Sequence, residues 1–179
     1  KVLKSWHLAD TDTFKSKHVN IINLLGHNAG ITGFRCKGYG VDEKFPTLIQ
    51  ALQGIKPANT PKVRLTHQPD SKVLYSPGGY MIVEQAISDI EGKPFYQVVN
   101  KQLLTPLEMV NSTFQQPLPS SFYKNIALPY LPSGYKISNG PLNFIASAAG
   151  GLWTTSKDRS KLFRAIQSSF KNEPHSKLN

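Results

Sequence analysis

Tyr75-Ser76-Pro77-Gly78-Gly79-Tyr80-Met81-Ile82-Val83-Glu84-Gln85-Ala86-Ile87-Ser88-Asp89-Ile90-Glu91-Gly92 carries the strongest periodic signal in the chain. Val83, Ala86, Ile87 and Ile90 recur at i, i+3, i+4 and i+7, which is one face of a helix. Ser76 is placed to cap it, Pro77 suits the first helical position, and Gly92 suits the stop. Pro94 then opens a second helix with Phe95, Val98, Val99 and Leu103 as its predicted buried face. The two form an αα-hairpin closed by Leu104-Thr105-Pro106-Leu107.

Helical signals continue on both sides. Upstream, Leu3, Trp6 and Leu8 are isolated apolar anchors. Ile21, Ile22, Leu24 and Leu25 form an apolar group that Gly26 can end. Pro46-Thr47 opens a helix with Leu48, Ile49 and Leu52 on one face and Gly54 as its stop. From Lys56 to Asp70, Pro57, Pro61 and Pro69 dictate an extended connection with β-formers at Val63 and Leu65. Downstream, residues 111–140 are loop-like, with Pro117, Pro119, Pro129 and Pro132. A last helix starts at Thr155, where Thr155 and Asp158 have capping-box spacing. Leu162, Phe163, Ile166 and Phe170 are its predicted apolar stripe. The fold class expected is mainly α, with long loops and almost no strand.

The 179 residues can bury a real core, although the apolar fraction of 39% is low. No stretch is long and apolar enough to span a membrane. The net charge of +10 comes from lysines scattered along the chain. A nucleic-acid binder would concentrate that charge, so none is expected as a partner. His7, His18, His67 and His175 share no metal-ligand spacing, so neither metal nor cofactor is expected. Cys36 excludes an internal disulfide. Its neighbours Arg35 and Lys37 would favour the thiolate if it were exposed, but no catalytic context surrounds it.

Several landmarks follow one another along the chain. They are Leu24-Leu25-Gly26-His27-Asn28-Ala29-Gly30-Ile31, Tyr75-Ser76-Pro77-Gly78-Gly79-Tyr80, Gly92-Lys93-Pro94-Phe95, Leu104-Thr105-Pro106-Leu107-Glu108-Met109 and Ala149-Gly150-Gly151-Leu152-Trp153-Thr154-Thr155. In this order they resemble the serine β-lactamase family, with its penicillin-binding-protein, class C β-lactamase and esterase relatives. The resemblance implies a helical subdomain of a β-lactamase-like α/β fold, spanning residues 1–179, truncated at both ends and with the sheet largely absent.

It also implies acyl transfer. A Ser of a Ser-x-x-Lys motif attacks an amide or ester carbonyl, in a β-lactam, a peptide or a small ester. A tyrosine moves the proton, and Tyr75 takes that catalytic place. A phenol is a weak base at neutral pH, so the role needs positive potential, which the following helix start would supply. Without the resemblance, Tyr75 reads as a half-buried packing residue. Ser76, Pro77, Gly150 and Gly151 take substrate-binding places. Pro77 departs from the family's frequent Asn and brings no side-chain donor, which favours an esterase or peptidase over a lactamase. His27 takes a structural place in its loop.

The nucleophile is missing. No Ser before Tyr75 has Lys three residues on, and Ser121/Lys124, Ser133/Lys136 and Ser168/Lys171 all lie on the wrong side of it. The chain therefore reads as part of a hydrolase, inactive alone, whether through proteolysis, engineering or natural truncation. Export to the periplasm would follow from the family. The alternative is a non-catalytic helical binding module whose exposed apolar surface drives homo-oligomerisation.

Overall fold

The computed structural model describes residues 2–137, 140–171 and 178. His175 lies outside them. The described residues hold six α-helices: α1 (Ile21–Leu25), α2 (Leu48–Gln53), α3 (Pro77–Glu91), α4 (Phe95–Val99), α5 (Ser147–Gly150) and α6 (Ser156–Phe170). They hold no extended strand. Pairing is limited to isolated antiparallel bridges, such as Ile31 with Leu65 and Thr113 with Trp153.

Local chemistry sets the helix ends. The Thr47 hydroxyl accepts the Gln50 amide while the Gln50 side chain accepts the Thr47 amide, and Gly54 ends α2 at φ 66°. Asn20 and Asn23 close the same reciprocal box at the start of α1. Pro77 opens α3 and Gly92 ends it at φ 64°. Beyond α4 the chain continues through a wider π-turn at Asn100–Leu104.

Long α3 is the hub, packing on α1, α2, α4 and α5. The main core gathers Trp6, Leu8, Leu24, Ile31, Leu52, Val63 and Met81, with Leu52 and Met81 fully enclosed. Truncating either to Ala would cost about 2–5 kcal/mol. A second core joins Leu104, Leu107 and Met109 to Ala165 of α6.

Four expectations need correction. The buried face of α3 is rotated from the predicted one. Ile90 is 59% exposed, while Glu84, Gln85 and Asp89 are buried. The polar side chains go inward because partners distant in sequence meet them: Asp89 accepts the Lys4 and Ser5 amides at 2.6 and 2.9 Å and Gln85 Nε2 at 2.9 Å. In α1 only Leu24 of the apolar group is buried, since Ile21, Ile22 and Leu25 face outward. In α6, Phe163, Ile166 and Phe170 are exposed, and Leu162 and Ala165 make the contact with the core. The capping box of α6 is half formed. Thr155 accepts the Asp158 amide, but the Asp158 carboxylate turns away to the Asn111 amide and the Ser112 hydroxyl.

Candidate active site

The site begins with the loop after α1. Asn23 and Asn28 both donate side-chain amides to Asp70 Oδ1, at 2.7 and 2.8 Å, which ties the loop to the far end of the extended connection. Gly30 has φ 72°, and a Cβ there would lie 2.3 Å from the His67 carbonyl oxygen. Only glycine lets the two segments approach this closely. The same approach lays residues 71–76 along the loop, with the Leu74 amide donating to the His27 carbonyl at 2.8 Å.

His27 is the keystone of this corner. Its backbone is left-handed, with φ 59°, and its ring lies 4.8 Å from the Tyr75 ring and 5.5 Å from the Tyr80 ring. Its Nδ1 accepts the Ser76 amide at 3.3 Å. The Ser76 hydroxyl donates to the Thr32 carbonyl at 2.6 Å. The Tyr80 hydroxyl donates to the Leu25 carbonyl at 3.2 Å, which seats the start of α3 on α1.

These bonds raise Tyr75 over a cleft of about 720 Å³. Tyr75 is 57% exposed, more open than the half-buried packing residue that its sequence alone implies. One wall is Gly33-Phe34-Arg35-Cys36. A second is Leu74, Tyr75 and Pro77, and the third is Phe144, Ala146, Ala149 and Gly150. The lining is mainly apolar, with Arg35, Cys36 and Tyr75 as the residues that carry polar side chains. A concave, mainly apolar lining with a few polar groups is the usual form of a small-molecule site.

Of the residues singled out in the sequence, Tyr75, Pro77 and Gly150 come together on the cleft. Ser76 and Gly151 stand behind it. Ser76 is 2% exposed and its hydroxyl is committed to Thr32. It occupies the cap position of α3, yet its side chain makes no capping bond. The Gly151 amide donates to Ser147 at 2.8 Å, and its carbonyl accepts Gln116 Nε2 at 2.9 Å. Both residues hold the walls rather than form them. Cys36 also lines the cleft, but burial pushes its thiol up to about 11, which overrides the expected pull of Arg35 and Lys37 towards thiolate.

Other wall residues were not legible in the sequence. Arg35, Phe34 and Phe144 carry no motif, and only the folded chain brings them to Tyr75. Glu84, likewise illegible, does not line the cleft; it is buried and accepts the Ala148 amide at 2.8 Å, next to the lining residue Ala149. Among the described residues no group of His, Cys, Asp and Glu could hold a metal ion, and no helix is long and apolar enough to cross a membrane.

The described residues thus form helices packed around α3, with an open cleft beside Tyr75. The model of the family described as beta-lactamase matches residues 2–177. The chain belongs to the β-lactamase family. It is 25% identical over 159 residues to a teichoic acid D-alanine hydrolase of Staphylococcus aureus, a match covering 85% of this chain and 36% of that relative. Among solved structures, a penicillin-binding protein from Bacillus halodurans has a TM-score of 0.62 at 19% identity, over 89% of this chain and 49% of that one. A class C β-lactamase variant has a TM-score of 0.60 at 20% identity, over 90% of this chain and 41% of that one. The chain thus spans about a third of the length of the curated relative, at 36%.

Proposed function

We propose that this chain forms the helical subdomain of a serine hydrolase that transfers an acyl group from an amide or ester to water. Tyr75 moves the proton between nucleophile and leaving group. The acyl compound lies between Tyr75 and Pro77 on one side and Gly150 on the other. The nucleophile, a Ser of a Ser-x-x-Lys motif, belongs to polypeptide outside these 179 residues. The observation that supports this most is the exposed Tyr75 ring. Two hydrogen bonds made by Ser76 and the His27 ring hold it at the start of α3, open to an apolar cleft. A general acid–base group has to be held in this way to act.

An ester is favoured over a β-lactam. Pro77 offers the cleft no donor where the family often has Asn. The relative that is 25% identical is a hydrolase of teichoic acid D-alanine. The test compares the 179-residue chain with the product of the complete gene. The chain alone should leave p-nitrophenyl esters and a chromogenic β-lactam intact. The complete product should turn over the ester faster than the lactam. Turnover by the chain alone would contradict the assignment of the nucleophile, and an inert complete product would contradict the activity.

One feature favours a binding module as the second reading. Phe163, Ile166 and Phe170, spaced i, i+3 and i+7 on one face of α6, are all large, apolar and exposed. A contiguous apolar face of this kind often marks an interaction surface. Self-association of the isolated chain, measured by sedimentation, is its expected sign.

A further inference from the structure

Glu84 lies two turns beyond Pro77 on α3 and is 7% exposed. The Ala148 amide donates to its Oε2 at 2.8 Å, and the Ser147 amide is a second donor to the carboxyl. Both are first-turn amides of α5, which no bond within that helix can satisfy. The carboxyl therefore bridges two helices that both contribute lining residues to the cleft. Pro77 is on one, and Ala149 and Gly150 follow directly after the bonded amides on the other.

Among the described residues, no cation acts on this carboxyl. Of the helices packed on α3, α1, α2 and α5 carry no titratable side chain, and α4 carries only Tyr96. On α3 itself the others are Tyr80, Asp89 and Glu91, and Asp89 is engaged with the Lys4-Ser5 segment. An ionised carboxyl here is held by amide dipoles alone, and burial without a counter-charge is costly. A buried leucine would fill the same space without that cost, but would leave both amides unpaired.

We propose that Glu84 is a positioning residue of the cleft, and that its ionisation sets the stance of the Gly150 wall relative to Pro77. The regulatory meaning rests on the cleft being the substrate site, whereas the structural coupling does not. The neutral acid offers a single carbonyl oxygen to the amides and keeps the α3–α5 junction dry. The carboxylate draws both amides harder and draws water into the junction, so α5 shifts. Burial, outweighing the Ala148 and Ser147 amides, raises the carboxyl from 4.5 to about 8, which puts the change in a mildly alkaline range.

The test is a carbon-detected NMR titration of the 179-residue chain from acid to alkaline pH, with no ligand present. Resonances of Ala148 and of Gly150 should move together with one midpoint near 8, although Gly150 makes no bond to Glu84. Glu84→Gln should abolish that transition at both positions. Glu84→Asp, too short to reach Ala148, should uncouple Gly150. If Gly150 shows no such midpoint, or if the transition survives in Glu84→Gln, the proposal is overturned. Should Glu84→Gln fail to fold, the wild-type titration and Glu84→Asp decide it. An enzyme that failed to hydrolyse esters would leave this result untouched, so the two ideas fail separately.

Discussion

The imidazole of His27 lies against the phenol of Tyr75, with ring centroids 4.8 Å apart and planes inclined by 47°. The same imidazole takes the Ser76 amide on Nδ1 at 3.3 Å, and so fixes the backbone next to the ring it supports. His27→Ala removes both contacts and leaves a part-buried amide without its acceptor. The expected loss is about 1–3 kcal/mol of stability, read from urea unfolding. A loss below about 0.5 kcal/mol, the level of an ordinary surface substitution, would show that His27 is not a keystone.

Ser76 separates structure from substrate contact. Among the described residues, its buried hydroxyl bonds to the Thr32 carbonyl alone. Ser76→Ala should cost about 1–3 kcal/mol in folding, while KM of the complete enzyme stays within twofold of wild type. A large rise in KM with unchanged stability would mean that the hydroxyl reaches substrate.

The paired glycines should behave differently. A Cβ on Gly151 would stand 2.6 Å from the Ser147 Cα, a backbone atom that cannot swing away. A Cβ on Gly150 meets nothing within 4 Å. Gly151→Ala should lower the melting temperature by several degrees or block folding. Gly150→Ala should leave it nearly unchanged and act on substrate binding in the complete enzyme. Thermal unfolding of the two variants side by side checks this, and equal destabilisation would contradict the structure.

Acid should release the Lys4-Ser5 segment. Burial raises the Asp89 carboxyl, but bonds from Ser5, Lys4 and Gln85 outweigh it and bring the group from 3.8 to about 2. A depressed folded-state value stabilises the protein above the unfolded value, and the contribution is lost as pH falls through the folded one. Stability should therefore decline between about pH 4 and pH 2, and Asp89→Asn should flatten that part of the curve. Denaturant midpoints across this range provide the check. An unaltered slope in Asp89→Asn would rule out the assignment.

Signals confined to a few residues were legible in the sequence. Pro77, Gly92 and Gly54 mark helix ends because proline and left-handed glycine act on their own backbone. The ordered landmarks around His27, Tyr75 and Gly150 carried the family. What was not legible depends on distant partners. Glu84 and Asp89 look like exposed charges until Ala148 and Ser5 meet them, and burying them turns Ile90 outward. Phe163 and Phe170 look like core residues of an amphipathic helix, yet they are exposed. Periodicity states which residues share a face, and tertiary contacts decide whether that face is covered. Arg35 reaches the cleft through the path of a long loop, which no local pattern encodes.

The central claim is that Tyr75 stands where a proton is moved during acyl transfer. Steady-state hydrolysis of a p-nitrophenyl ester by the complete gene product, wild type against Tyr75→Phe, tests it most directly. Removing one oxygen from a ring that His27 and Ser76 still hold should lower kcat about 10²–10⁴-fold, with KM little changed. Full activity in Tyr75→Phe would contradict the claim.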